Sequence, residues 1–323
     1  MTPILKLIKS SRPRHVATLL VLASMVMFLD LLQLNEYSSG SQLKNRILEL
    51  TSEEEDDAYH QKPVMHTFYD PLPQQKKRPT GMSLSDDRHL LKVWADSWKS
   101  MGWRVRILTM EDVKKHPNFD NIQELLQKVP LGKRPDYDRA CYLRWFAMTA
   151  VGGGWMSDFD VIPLPGSMFV NNQDAYKFMN DGNFTVYDMT AQGDPVPSLM
   201  SGSLEEWDRL SNLVLKNGAE KGSEETYFSD FRSLIDLKES ASIVKLDDVV
   251  KGHNILKADF SLTEKDCNDL KNKRAIHISH RAMRELKRKF SERPFVAEQF
   301  WLSWLEKCSG DEFVSLSDIV SQS

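Results

Sequence analysis

The stretch Asp138-Arg139-Ala140-Cys141-Tyr142-Leu143-Arg144-Trp145-Phe146-Ala147-Met148-Thr149-Ala150-Val151-Gly152-Gly153-Gly154-Trp155-Met156-Ser157-Asp158-Phe159-Asp160 decides how the chain is read. From Asp136 to Val151 the sequence is long and apolar-rich, and three glycines close it, as they close a buried helix. Trp155-Met156-Ser157 then reads as a short strand that delivers Asp158, and Val161-Ile162-Pro163-Leu164-Pro165 leads away. Sites in open α/β sheets lie at the carboxyl ends of strands, and Asp158 falls at such an end.

Upstream the same grammar repeats. Pro63–Tyr69 is a β-prone run stopped by Asp70-Pro71-Leu72-Pro73. Ser85–Ser100 carries Leu90, Leu91, Val93, Trp94 and Trp98 at helical spacing, and Gly102 ends it. Trp103–Leu108 alternates as a second strand, and Met110–His116 and Ile122–Val129 are helical. Downstream, Phe184–Met189, Ser198–Ser203, Ile243–Lys245 and Ala275–Ile278 read as short strands, and Arg284–Phe290 and Phe295–Lys307 as closing helices. The order predicts an α/β fold, a Rossmann-type mostly parallel sheet flanked by helices.

The 323 residues are 41% hydrophobic and 27% charged with a net charge of -4, an ordinary globular composition. That balance gives no general attraction to phosphate backbones, so no nucleic-acid partner is expected. Lys6, Lys9, Arg12 and Arg14 precede the apolar run Val16–Leu34, broken only by Asp30. This predicts a cytoplasmic tail (1–14), a transmembrane signal anchor (15–34) and a lumenal remainder. A cleaved signal peptide and a buried core helix are the other readings of the run. Residues 35–62, with Glu53-Glu54-Glu55-Asp56-Asp57, read as a flexible stem, leaving 63–323 as the catalytic domain. Of three cysteines, Cys267 and Cys308 are the pair proposed from position for a bridge in an oxidising lumen.

Asp158 and Asp160 would converge if extended geometry persists through the triplet. Carboxylates so close repel unless a cation sits between them, and Mn²⁺ or Mg²⁺ takes oxygen ligands while keeping positions open for phosphate. A solvated surface acid pair is the competing reading, and the glycine run and buried helix before the triplet weigh against it.

With its upstream partners Trp98, Gly102–Leu108 and Glu111-Asp112-Val113, the quoted stretch resembles the glycosyltransferase family with a DxD-containing sugar-binding region. That family includes Golgi initiating mannosyltransferases and bacterial toxin and capsule transferases. The resemblance covers residues 63–165 and fades afterwards. It implies a GT-A-type domain that uses a nucleotide-diphosphate sugar as donor and Mn²⁺ (or Mg²⁺) as cofactor, acts on a glycan, glycoprotein or glycolipid acceptor, and mostly retains configuration. It implies catalytic roles for Asp158 and Asp160, with Asp158 on the ribose and sugar side and Asp160 on the metal. His66, Thr67 and Phe68 would lie beside the base, mainly through backbone, and Arg144 would hold donor sugar or phosphate. Cys141 stands where the family carries an Asp, with Asp138 one helical turn earlier on a similar face, and one additional glycine shifts the register before Asp158.

Weaker candidates follow. His277 is either a third metal ligand, as the family's C-terminal histidine would be, or an ordinary histidine; its flanking Ile276 and Ile278 favour an exposed imidazole. Pro197–Ser203 resembles an acceptor floor, while Glu205, Glu206 and Asp208 fit the first turn of a helix. Arg281–Lys289 is either a solvated helix face or a contact for a charged donor or acceptor. The leading expectation is a single-pass type II Golgi membrane glycosyltransferase. A catalytically inactive lumenal glycan-binding protein on the same fold is the alternative, and a metal-dependent phosphoester hydrolase ranks last.

Overall fold

The computed structural model describes residues 62–71, 81–164, 179–223 and 225–308. The expected tail, the anchor and all of the stem but Lys62 lie outside the described residues. Among those described, no helix is long and apolar enough to cross a membrane.

The first strand, β1 (Val64–Phe68), pairs in parallel with β2 (Arg104–Leu108) on one side and β3 (Gly154–Ser157) on the other. Helix α1 (Leu84–Ser100) connects β1 to β2. Its start is fixed by a capping box in which Ser83 Oγ accepts from Asp86 N–H at 3.1 Å and Asp86 accepts from Ser83 N–H at 2.7 Å. Helix α2 (Pro135–Ala150) precedes β3 and carries Pro135 at its first position. The sequence reading locates these elements to within a few residues.

Beyond β3 the expected mostly parallel sheet is corrected to a mixed one. β4 (Val161–Pro163) leaves the main sheet altogether. β5 (Thr185–Met189) and β6 (Pro195–Gly202) form a hairpin, with Thr190 N–H donating to the Asp194 carbonyl at 2.8 Å across the turn. A tight hairpin can only be antiparallel, and β6 also pairs antiparallel with β3. With β7 (Val244–Lys245), the order becomes β2-β1-β3-β6-β5-β7. A second sheet has the order β4-β9-β8, from β8 (Val249–Lys251) and β9 (Ala275–His277).

Two further helices, α3 (Leu204–Glu220) and α4 (Asp230–Leu237), pack with α2. Their shared core includes Trp145, Phe146, Met148, Trp207, Leu210 and Val214, joined by Met156 of β3. Trp155, the next residue back, points the other way and stacks on Tyr187 at 5.1 Å, as strand alternation requires. Glu205, Glu206 and Asp208 lie in the first turns of α3, which Ser203 caps. The closing helix α5 (Arg293–Lys307) packs against α1. The helix expected over Arg284–Phe290 is displaced: it runs from His280 to Glu285, because Ser279 caps it and Lys287 turns out at φ 54. Cys267 and Cys308 are disulfide-bonded and Cys141 is free.

The glycine run has a specific cause. Gly153 has φ +78, and a Cβ there would lie 2.7 Å from the Leu204 backbone nitrogen, because β3 enters directly beneath the start of α3. Gly152 has φ +96, but a Cβ there would meet nothing within 4 Å among the described residues. Gly153→Ala should therefore destabilise by about 3 kcal/mol or more, combining strain with backbone collision. Gly152→Ala should cost only about 1 kcal/mol. Urea unfolding of the two variants checks the contrast, and equal losses would refute the close approach.

Candidate metal centre and its cavity

Asp158-Phe159-Asp160 is the crossing between the two sheets: β3 ends at Ser157 and β4 begins at Val161. The two carboxylates converge through a turn rather than through extended pleating, since Val161 N–H donates to the Asp158 carbonyl at 3.0 Å. Asp158 N–H donates to the Ser198 carbonyl at 2.8 Å and Ile278 N–H to the Asp160 carbonyl at 2.9 Å, which pins both ends. Helix α1 grips the same turn with two indoles one helical turn apart. Trp94 Nε1 donates to Ser157 Oγ at 2.8 Å and Trp98 Nε1 to the Val161 carbonyl at 3.2 Å.

Each aspartate meets an arginine. Arg144, buried on α2, donates to Asp158 through Nη1 and to Asp230 through Nη2 at 2.7 Å. Asp230, the first residue of α4, also accepts from Trp145 Nε1 at 3.1 Å. Asp160 Oδ2 accepts from Arg293 Nη1 at 2.9 Å. Burial pushes the Asp158 carboxyl up to about 6; Arg144 opposes that rise and the nearby Asp160 adds to it.

His277 does not present an exposed imidazole. It faces inward, its side chain 13% exposed, with Nε2 3.6 Å from Asp160 Oδ1. Its Nδ1 lies 2.8 Å from Oδ2 of Asp188, a fully buried residue of β5. Asp188 also accepts from Ser198 Oγ at 2.6 Å and from Lys251 Nζ. A carboxylate surrounded by donors has no proton to give, so the imidazole proton is assigned to Nδ1 and the Nε2 lone pair is left facing Asp160. Burial lowers the His277 pKa, which keeps the ring neutral; Asp160 and Asp158 act in the opposite sense.

Ligand atoms of Asp158, Asp160 and His277 lie within 4.8 Å of one another. Neighbouring ligands of an octahedral ion at about 2.1 Å stand about 3 Å apart and opposite ones about 4 Å, so a small contraction would seat one. Two carboxylates and a neutral imidazole suit Mn²⁺ or Mg²⁺ and would leave positions for ligand oxygens. The Asp188–His277 contact is the outer-shell carboxylate that metal-bound histidines usually carry.

The group opens on a cavity of about 770 Å³. Phe68, Arg144, Asp158, Asp160 and His277 line it. His66, Thr67 and Asp138 do not. His66 is buried in β1, its Nδ1 donating to the Trp155 carbonyl at 2.9 Å, and Thr67 is fully buried beside it. Asp138 accepts from Gly132 N–H at 2.8 Å and fastens the loop before α2. A carboxylate that does meet Arg144 inside the cavity, besides Asp158, is Asp230, far along the chain. Asp188 and Arg293 were likewise missed: Asp188 stands alone in an apolar strand, and Arg293 is one more charge after the basic run that ends at Lys289.

Residues 51–249 match the family described as Domain of unknown function (DUF8765), and the chain belongs to that family. No curated protein matches it.

Two outcomes follow from this geometry. Replacing Asp188 by Asn would let the amide donate to Nδ1 and turn the Nε2 proton toward Asp160. Calorimetric Mn²⁺ affinity should fall about 10–100-fold, whereas an unchanged affinity would refute the orienting role. Burial lowers the His66 pKa to about 4, while an unfolded imidazole titrates near 6.5. The unfolded chain therefore takes up the proton first. The contribution of His66 is complete above about pH 6.5 and is lost as pH falls toward 4, by up to about 3 kcal/mol. Unfolding curves across that window should be shallower in pH for His66→Gln.

Proposed function

We propose that the chain is a metal-dependent glycosyltransferase on a GT-A-type domain. It would transfer a sugar from a nucleotide-diphosphate sugar to a glycan or glycoconjugate acceptor with retention of configuration. The convergence of Asp158, Asp160 and His277 on one wall of a cavity of about 770 Å³, within the size range of small-molecule sites, carries this reading. The position of the aspartates just past the carboxyl end of β3, beside β1, supports it further.

In this reading Asp160 and His277 hold Mn²⁺ or Mg²⁺ and Asp158 completes the set, its second role being toward the donor's ribose and sugar. When bound, the ion supplies Lewis-acid stabilisation of the charge that builds on the departing diphosphate. Asp188 keeps the His277 nitrogen pointed at the ion. Arg144, tied between Asp158 and Asp230, sets the orientation of Asp158. Phe68 offers an apolar edge to the base, and the backbone of His66 and Thr67 forms the strand behind it. The Cys267–Cys308 bridge fits a lumenal setting, where disulfides persist. With the basic and apolar N-terminal run it supports a type II, Golgi-membrane location.

One observation favours the second reading, a glycan-binding protein without catalysis. Both aspartates already have an arginine counter-ion, so the centre is charge-compensated without a cation.

Purified protein supplied with nucleotide sugars and Mn²⁺ separates the two. Transfer or donor hydrolysis should appear, should vanish with EDTA, and should fall about a thousandfold or more in Asp160→Asn, which keeps the side-chain shape. Activity that survives both treatments, or no binding of any nucleotide diphosphate, would sink the transferase reading.

A further inference from the structure

Arg293 opens helix α5 and is 3% exposed. Its Nη1 donates to Asp160 Oδ2 at 2.9 Å. Its other two nitrogens, Nε and Nη2, are buried and have no hydrogen-bond partner among the described residues. Yet the side chain lines the cavity that holds Asp158, Asp160 and His277.

Those two nitrogens are not an arbitrary pair. Nε and Nη2 form the side-on edge of the guanidinium, with two N–H groups running nearly parallel. That edge matches two oxygens of one carboxylate or phosphoryl group, and a lysine cannot reproduce it. A buried guanidinium edge without an acceptor is unfavourable, so its retention beside a cavity points to an acceptor that arrives from outside. The neighbourhood agrees in chemistry. His280 lines the same cavity with Nε2 also buried and unpartnered, and Arg281 and Arg284 line it too.

We propose that Arg293 is an oxyanion clamp, which holds Asp160 with Nη1 and a phosphoryl group of the bound ligand with Nε and Nη2. The choice of a phosphoryl group rests on the transferase reading, in which a diphosphate occupies the cavity next to the ion. A carboxylate on a saccharide is the other source of the same oxygen pair. The clamp also explains why Arg293 can neutralise Asp160 and still serve the ligand, because different nitrogens do the two jobs.

Calorimetry on the full chain at saturating Mn²⁺ tests this, with inorganic pyrophosphate and glucuronate as probes. Wild type should bind pyrophosphate more tightly than glucuronate. Arg293→Lys keeps the charge beside Asp160 and so protects the fold, but it should bind pyrophosphate about tenfold or more weakly. Arg293→Gln, where it folds, should be weaker still. Affinity for Mn²⁺ alone should not fall in either variant, since removing Arg293 releases the Asp160 carboxylate. If Arg293 only neutralises Asp160, the lysine variant will bind pyrophosphate as wild type does, and that result overturns the clamp. Preferential binding of glucuronate overturns it as well, as does absence of pyrophosphate binding by wild type. Loss of pyrophosphate affinity in Arg293→Lys, together with no sugar transfer by wild type, would uphold the clamp and reject the transferase.

Discussion

The chain must pass from one sheet to the other between Ser157 and Val161, and the rest of the cavity depends on how tightly that crossing is held. Three residues are too few to wander. The crossing is gripped by β6 at Asp158, by Ile278 just past β9 at Asp160 and by the two indoles of α1 at its flanks. Both aspartates ride on this short segment, so their separation is set by backbone pairing in two sheets rather than by side-chain choice. Precision of that kind is what an ion-binding pair requires, since ligand distances tolerate only a few tenths of an ångström.

Around the crossing the protein gathers buried and half-buried charges. Asp158, Asp160, Asp188 and Asp230 face Arg144, Arg293 and Lys251. Replacing such pairs with apolar residues often leaves stability unchanged or improves it, so stability alone does not account for them. Their shared property is that each pair holds, directly or through a neighbour as Asp188 holds His277, a group lining the cavity. Arg144 is held between two carboxylates, and His277 is held from behind by Asp188. A centre assembled this way has few rotamers to choose among before a ligand arrives, which lowers the ordering cost of binding.

The first half of the fold was legible because its signals are local. Helical spacing from Leu90 to Trp98, alternation from Trp103 to Leu108 and the glycines after Val151 each announce an element within a dozen residues. The Asp158–Asp160 pair and Arg144 could be read for the same reason. The mixed character of the sheet could not, because it depends on β6 inserting between β3 and β5, a pairing decided by tertiary contact. Asp230, Asp188 and Arg293 were out of reach for a related cause. Asp230 meets Arg144 across 86 residues, Asp188 meets His277 across 89, and Arg293 meets Asp160 across 133. Nothing near any of them in sequence marks a site. Asp138 drew attention through helical spacing, and its carboxylate serves a loop instead.

The Cys267–Cys308 bond spans 41 residues of chain, and β9, the short helix that begins at His280, and helix α5 all lie inside it. Closing a loop of that size removes about 4 kcal/mol worth of chain entropy from the unfolded state in the simplest polymer treatment. His277, His280 and Arg293 therefore sit within one covalent ring, while Asp158, Asp160 and Asp230, which line the same cavity with Arg144, belong to open chain. The two sets of residues differ in how they can come apart. The ring keeps its residues near one another even when its packing is lost, so that part of the lining carries a memory of its own assembly that the open-chain part lacks.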